Sequence, residues 1–431
     1  MKQVEVFDGN QLYDKPVGYN CPNPQYLFVG SDVNGSRVFV PIDDNLLSRH
    51  MVLLGGIGTG KTNTFFQIML QIRKKLSFND IAIVFDTKGD FYKAFYEPGD
   101  IVISNDELAR GPRGTDYWNI FNEIEKNEHM EENIVEISKT LFNEKIENTN
   151  QPFFPNAAKD IFSAVLTHFI KNPDTCNTTN EGLRSFLNGA SGEELRKILA
   201  QYPEFKSMVS YIADDRSPQT QGVLSEMQQL VREIFLGNFK KSGTLSMRNI
   251  VRNKGGKFVF IEYDIGVGRM LSPIYSLLFD MAIKEALCRS KSDGNVFFVT
   301  DEFSLLPNLS HVDDAVNFGR SLGIKFMIGI QNVNQIFDNY GEERGKSLLS
   351  GFLTSVCFRV TDEASRNYIK GLFGTNRKKE VFMSSVSGRG VTEQIRDSNV
   401  VEDWDVLRLR IGEAIIGLPG IEPFIFKFDK V

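Results

Sequence analysis

The 431-residue sequence predicts an α/β protein with a mainly parallel central sheet and an inserted all-α domain. Three observations predict it. A short apolar run at 51–54 leads through a glycine-rich loop into a helical stretch, and a second strand-then-helix pair starts at Ile81. Parallel strands need such crossovers, and the crossing helices cover the sheet faces. From about 126 to 250 the apolar period becomes helical. Strand signals return at 257–262, 295–300, 325–330, 355–359, 413–418 and 424–428, so the helical block splits the sheet in sequence.

Length supports more than one module, because a single core rarely exceeds about 250–300 residues. Residues 1–45 form a β-rich segment, in which Tyr26–Gly30 and Arg37–Val40 flank the turn-forming Asp32-Val33-Asn34-Gly35. In the middle block the expected helices are Glu131–Glu147, Asn156–Ile170, Glu193–Gln201, Phe205–Ala213 and Gln221–Phe235, with a capping box at Ser191-Gly192-Glu193-Glu194. The 35 phenylalanines are spread along the chain, which fits core packing rather than an aromatic site.

Composition excludes several classes. Hydrophobic content of 41% with 24% charged residues is that of a globular chain. A net charge of −6 cannot coat nucleic acid through an overall field, so DNA contact requires a local basic strip. Arg377-Lys378-Lys379 and Lys240-Lys241 are short basic runs, read first as solvated surface and alternatively as DNA-facing. Cys21, Cys176, Cys288 and Cys357 form no CxxC pair, and His50, His129, His168 and His311 are equally scattered, so reduced cysteines and no zinc site are expected. No run reaches the ~18 apolar residues that cross a bilayer, and Met1–Glu5 opens no signal-peptide core. The chain is expected in the cytoplasm, without a transmembrane segment of its own.

Gly55-Gly56-Ile57-Gly58-Thr59-Gly60-Lys61-Thr62 matches GxxxxGK[ST]. Glycines let the backbone curl its N–H groups toward phosphate oxygens, and the helix that follows adds the positive end of its dipole. The cradle is taken as these eight residues and Asn63. Lys61 reaches the β- and γ-phosphates, and the Thr62 hydroxyl joins a Mg²⁺ shell. Val296–Thr300 is an apolar strand ending in Asp301-Glu302. In P-loop ATPases the first acid holds Mg²⁺ and the second orients or deprotonates the attacking water, so Asp301 and Glu302 are assigned those roles. The pair points to a hydrolysing motor rather than a small-molecule kinase. ATP and Mg²⁺ are the expected cofactors. Residues 46–125 and 251–431 are then two parts of one nucleotide-binding domain, with 126–250 inserted between them.

Asp86-Thr87-Lys88-Gly89-Asp90-Phe91, Phe95–Asp100 and Tyr117-Trp118-Asn119-Ile120-Phe121 resemble the segment after the P-loop in type IV secretion system coupling proteins, the TraD/TrwB-type conjugative DNA-transfer ATPases within the HerA/FtsK-like P-loop motors. Asp301-Glu302-Phe303, Leu306-Pro307, Phe318-Gly319-Arg320, Gly323, Ile330-Gln331-Asn332, Gln335 and Tyr340-Gly341 follow that family's pattern in order. The resemblance covers roughly 45–431 and implies a RecA-like core with an all-α insertion. It also implies a hexameric ring, DNA threaded through it, and relaxase or secretion-channel and membrane proteins as partners. In the family, the Arg320 position reaches the neighbouring subunit's ATP and the Gln331 position senses the γ-phosphate. General chemistry agrees: an arginine beside the γ-phosphate stabilises the loose transition state. Asp86, Lys88 and Asp90 either line the site or form a polar turn. The N-terminal transmembrane helices typical of the family have no counterpart in this sequence, which leaves three readings open: recruitment to the inner membrane face by a separate partner, a soluble variant on a mobile element, or another DNA-handling role. Two alternatives keep the same core: a HerA/FtsK-like translocase of DNA processing or defence, and an ATP-switched adaptor for protein substrates.

Overall fold

The computed structural model describes residues 3–106, 116–290, 293–382 and 392–431. The chain forms two compact units, one of residues 1–77, 297–304 and 316–431, the other of 78–296 and 305–315. In chain order the strands are β1 (Gln3–Asp8), β2 (Tyr26–Ser31), β3 (Arg37–Ile42), β4 (Met51–Leu54), β5 (Ile81–Asp86), β6 (Ile101–Ile103), β7 (Lys257–Glu262), β8 (Val296–Thr300), β9 (Ile324–Ile330), β10 (Thr354–Cys357), β11 (Thr375–Phe382), β12 (Thr392–Asn399), β13 (Glu413–Gly417) and β14 (Phe424–Phe428).

In the first unit the strand order is β3-β2-β14-β13-β10-β4-β9-β8. β10, β4 and β9 pair in parallel, while β13, β14, β2 and β3 extend the sheet antiparallel. β4, β9 and β10 are buried at every residue, and β4 accordingly reads as an unbroken apolar run rather than an alternating one. Helix Lys61–Lys75 buries Phe65, Ile68, Met69 and Ile72, a helical stripe. On its same face Gln67 brackets Val29, accepting from the backbone N–H at 3.0 Å and donating to the carbonyl at 2.9 Å. Gln71 does the same to Leu27 at 2.9 and 2.8 Å. β14 pairs with β2 only at Gly30 and Ser31, with one further backbone bond from the Asp429 N–H to Val29 O at 2.9 Å, and the two glutamines hold the backbone N–H groups of Val29 and Leu27.

A separate antiparallel sheet, β1-β11-β12, belongs to the same unit. It carries the basic run at 377–379, and each cation there meets a carboxylate: Arg377 with Asp397 at 3.3 Å, Lys378 with Glu402 at 3.5 Å and Lys379 with Glu393 at 2.7 Å. The run is therefore neutralised locally. β11 and β12 carry no strand signal in the sequence, because cross-strand ion pairs rather than an apolar face hold them together.

In the second unit β5, β7 and β6 pair in parallel. Between β6 and β7 lie helices Met130–Glu147, Phe153–Lys171, Asn180–Gly189, Gly192–Ala200, Pro218–Ile234 and Met247–Asn253, and Gly268–Leu287 follows β7. The capping box at Ser191 and Glu194 forms as expected. Pro203–Ile212 is a 3₁₀ helix rather than an α-helix, and Asn180–Gly189 is a helix the periodicity did not suggest.

The Tyr117–Phe121 motif is a packing hub in this unit. Fully buried Glu123 accepts from Trp118 Nε1 at 2.8 Å and from the Met247 N–H at 2.6 Å, tying the start of helix Met247–Asn253 to the motif. Fully buried Asn180 accepts from the Ile120 N–H at 3.0 Å and donates to the carbonyls of Trp118 at 2.8 Å and Phe239 at 2.9 Å. Asn180→Ala would strand three buried backbone groups, each costing about 1–3 kcal/mol. A loss of roughly 3 kcal/mol or more is expected, read as a lower urea midpoint.

Candidate nucleotide site

β4 ends at Leu54 and the glycine loop follows directly, before helix Lys61–Lys75. The first two glycines continue the sheet: the Gly55 N–H donates to Ile330 O at 3.1 Å and the Gly56 N–H to Arg359 O at 3.0 Å. Their amides are thus engaged within the protein, so Gly55 and Gly56 shape the loop from behind. Gly58 (φ +74°) and Gly60 (φ +122°) adopt backbone that residues with a Cβ rarely reach. At Gly60 a Cβ would also stand 3.1 Å from Gly412 Cα. The loop is braced by Thr59, whose Oγ1 donates to Gly56 O at 2.8 Å and whose carbonyl accepts from the Gly412 N–H at 2.8 Å. Ile57 is 83% exposed at the tip.

Lys61 is buried, and its ammonium donates to the carbonyls of Gly55 and, at 3.2 Å, Gly56. Asn63 differs from expectation: its side chain donates to Asp429 O at 2.8 Å and accepts from the Val431 N–H at 2.9 Å. That leaves its backbone N–H, in the first helical turn, as the group suited to a phosphate.

β8 and β9 are neighbours in the sheet, so the residues just past their ends come together. Thr62 Oγ1 donates to Asp301 Oδ2 at 2.9 Å. Asp301 is buried, and its Oδ1 has no hydrogen-bond partner among the described residues. An orphaned carboxylate oxygen costs free energy unless something fills the place. A hydroxyl and a carboxylate in contact, with one lone oxygen, fit a hard oxygen-seeking cation such as Mg²⁺. Glu302 accepts from Gln331 Nε2 at 2.5 Å and from Ser304 Oγ at 2.7 Å, so both carboxylate oxygens are oriented. Asn339 Nδ2 in turn donates to Ser304 O at 2.6 Å, and Tyr340 stacks on Phe303 with centroids 5.8 Å apart. Tyr340-Gly341 is thus a structural turn, with Gly341 at φ +78°.

Arg320 lies elsewhere. It sits in the 3₁₀ turn Gly319–Leu322 before β9, exposed, with Nη2 donating to Asn45 Oδ1 at 2.7 Å. Gln331 follows the other end of β9, a seven-residue strand that rises about 23 Å. Arg320 and the loop of its own subunit are therefore at opposite edges of the sheet.

A cavity of about 760 Å³ opens beside the loop, lined by Gly56–Thr59 and by Arg359, Thr361 and Arg408–Ile411. Sequence reasoning missed these lining arginines. Arg359 directly follows the apolar 355–358 run, and Arg408-Leu409-Arg410 lies in a loop without a motif, so only three-dimensional placement brings them to the phosphate loop.

The segment after β5 is a polar turn. Buried Asp86 accepts from the N–H groups of Lys88 at 3.2 Å and Tyr92 at 2.8 Å, which organises the entry into helix Asp90–Phe95. Burial raises its carboxyl above the usual range, and these N–H groups partly oppose that. Glu262, its register partner on β7, is pushed up to about 7 by burial, with the Asp86 charge adding to the shift. Among the described residues no helix is long and apolar enough to cross a membrane.

A family model described as the type IV secretion-system coupling protein DNA-binding domain matches residues 36–424. Coupling protein TraD of Escherichia coli (strain K12) is 22% identical over 440 residues, covering 98% of this chain and 58% of TraD. The type IV secretion system-coupling protein VirD4 of Bartonella henselae is 25% identical over 237 residues, covering 50% of this chain and 36% of VirD4. The chain thus spans less than two thirds of either relative. Among solved structures, plasmid coupling protein TrwB with a non-hydrolysable ATP analogue superposes with a TM-score of 0.75 at 17% identity, covering 99% of this chain and 95% of TrwB. TrwB with ADP and Mg²⁺ gives 0.71 at 18% identity, covering 91% and 87%. VirB4 of Thermoanaerobacter pseudethanolicus gives 0.58 at 14% identity, covering 96% and 98%. The fold is that of a RecA-like P-loop NTPase.

Proposed function

Because this chain belongs to the type IV secretion-system coupling protein family, we propose that it is an ATP-driven DNA-translocating motor that hydrolyses ATP at the subunit interfaces of a ring. The observation that carries this reading is the Thr62–Asp301 contact with its orphaned Oδ1, next to a Glu302 held at both oxygens. The relative TrwB is described in complex with ADP and Mg²⁺, which supports the same pair of ligands here. Mg²⁺ bound with ATP supplies charge neutralisation at the β- and γ-phosphates. Thr62 and Asp301 would hold it. Lys61 leaves the loop carbonyls for the phosphates, and the amides from Gly58 to Asn63 receive phosphate oxygens. Glu302 orients and deprotonates the attacking water. Gln331, bonded to Glu302, is placed to report the γ-phosphate. The cavity lined by Arg359, Arg408 and Arg410 suits the remainder of the nucleotide, with exposed Ile57 and Ile411 as apolar surfaces for the base.

Arg320 serves the neighbouring subunit. Its distance along β9 from Gln331 supports action in trans, and Phe318 beside it is 63% exposed, as a ring contact requires. We divide the chain functionally into a β-rich segment (1–45), a nucleotide-binding domain in two parts (46–125 and 251–431) and an all-α insertion (126–250). Relaxase and secretion-channel proteins are the partners this role implies, with recruitment to the inner face of the membrane.

The test is steady-state ATP hydrolysis by the wild type and Lys61→Ala, with and without single- and double-stranded DNA at low salt, across protein concentration. Stimulation by DNA, a specific activity that rises with concentration, and a silent Lys61→Ala are expected. DNA contacts are strongest at low salt, so turnover indifferent to DNA there would replace the motor with an ATP-switched adaptor.

A further inference from the structure

Nine residues beyond Glu302 the chain is clamped to two helices. Residues 305–315 belong to the second unit, as do helices Met130–Glu147 and Gly268–Leu287. Leu306, Leu309 and Val312 are fully buried there. Polar contacts then fix the register. Ser276 Oγ donates to Pro307 O at 3.1 Å, and Asn308, at φ +53°, donates from Nδ2 to Glu147 Oε2 at 2.7 Å. The His311 backbone N–H donates to Asp280 Oδ1 at 2.9 Å. Its ring then bridges both helices, with Nδ1 3.0 Å from Asp280 Oδ2 and Nε2 2.7 Å from Glu136 Oε1.

Each ring nitrogen faces a carboxylate oxygen, so only the imidazolium, a donor at both positions, satisfies both. Burial opposes that charge, but the hydrogen bonds and charges of Asp280 and Glu136 outweigh it and raise His311 from 6.5 to about 9. Lys284 pairs with the other side of Glu136. Burial resists ionisation of Glu136 too, yet His311 and Lys284 hold its carboxyl below the usual range. The three side chains are close enough to enclose a cation. The imidazolium and the Lys284 ammonium, however, already balance the two carboxylates, so the cluster works as an ion-paired clasp. Such a cluster is a poor source of net stability compared with apolar packing; register is its better-attested use.

We propose that His311 is a positioning residue, fixing the segment that carries Glu302 to helices Met130–Glu147 and Gly268–Leu287, so that the nucleotide state and the state of those helices are coupled. The inference rests on the nucleotide-site reading above. The tether is short: nine residues span at most about 30 Å. Its near end is rigid, because Phe303 is buried against Tyr340 and Ser304 is held by Asn339. Coupling of this kind is reciprocal: helices that respond to ATP also shift the Glu302 carboxylate when a substrate displaces them.

His311→Gln removes the double donor while keeping a polar side chain of moderate size. Hydrogen exchange would be followed in both proteins with and without MgATP, alongside ATP turnover. In the wild type, MgATP is expected to slow exchange in the loop at 55–63 and in the helices at 130–147 and 268–287. In His311→Gln the loop response should persist, the helix response should fall several-fold, and kcat should drop about tenfold at unchanged KM. Glu136→Gln, which leaves Asp280 on the ring, is read the same way should His311→Gln fail to fold. Equal helix responses in wild type and variant, or silent helices beside a responsive wild-type loop, overturn the clasp. A loop that ignores ATP in both proteins overturns the nucleotide site itself and the inference with it.

Stability gives a second readout. A histidine raised from 6.5 to about 9 stabilises fully below the lower value and loses that contribution as pH rises through the upper one. Asp280, Glu136 and Lys284 are the charged groups that face the clasp. The difference in urea midpoint between wild type and His311→Gln is therefore expected to be largest near pH 6 and to shrink as the pH rises through 9.

Discussion

Glu302→Gln is expected to lower ATP turnover by about 10²–10⁴-fold while leaving ATP binding intact. The substitution keeps the size and most hydrogen bonding of the side chain but removes the anion that deprotonates water. Thr62 donates to Asp301 rather than to Glu302, so the nucleotide pocket should be undisturbed. Gln331 and Ser304 donate to the present carboxylate at 2.5 and 2.7 Å. A glutamine retains one acceptor oxygen, so one of these donors will lose its partner and the local order of the β9 end should loosen slightly. Measured ATP affinity equal to wild type with turnover near background supports the role. Turnover within a few-fold of wild type would move the water-activating function to another group.

Arg320→Ala should cost about 10³-fold or more, the range of an arginine finger. The sharper measurement uses mixtures. Arg320→Ala has an intact phosphate loop and Lys61→Ala has an intact Arg320, and each alone should be nearly inactive. If the arginine serves the neighbour's nucleotide, mixed assemblies contain interfaces with both a working loop and a working arginine, and part of the activity returns. Rescue is impossible if Arg320 acts within its own subunit, a geometry already opposed by the length of β9 between it and Gln331. Retained activity in Arg320→Ala alone would assign the residue to the surface, where its bond to Asn45 at 2.7 Å would be its whole role.

Buried parallel strands were the most legible part of the sequence. β4, β5 and β9 lie where strand signals placed them, because strands covered on both faces leave a largely continuous hydrophobic trace. Thr62 and Asp301 were legible as residue types, and the structure adds that they touch. The finer division of work in the loop was not legible. Whether a glycine amide faces a phosphate or a strand carbonyl depends on neighbours at Ile330 and Arg359, 275 and 303 residues further along the chain. The Asn63 side chain turned to the C-terminal residues for the same reason. The β11–β12 hairpin escaped notice because its order rests on paired charges, whose alternation carries no hydrophobic period. The histidines looked scattered, yet His311 meets two carboxylates from helices more than 20 residues upstream, a coincidence of tertiary packing that no local spacing announces.

The first unit is stitched from three stretches, 1–77, 297–304 and 316–431, whereas the second runs almost unbroken from 78 to 296. A ribosome adding roughly 5–20 residues per second therefore releases β4 tens of seconds before the parallel neighbours that bury it, β9 and β10. The intervening helical stretch belongs to the second unit, whose residues lie almost wholly within 78–296, so it can order itself during that interval. Throughout it, the nascent chain carries an apolar strand with both edges bare, a state prone to mispairing and suited to chaperone capture. Asp301, Arg320 and Gln331 all follow the helical stretch in sequence, so the Thr62–Asp301 contact forms only after that stretch has emerged. Truncation ahead of β9 should therefore yield fragments in which β4 has neither parallel neighbour, read as aggregation on expression.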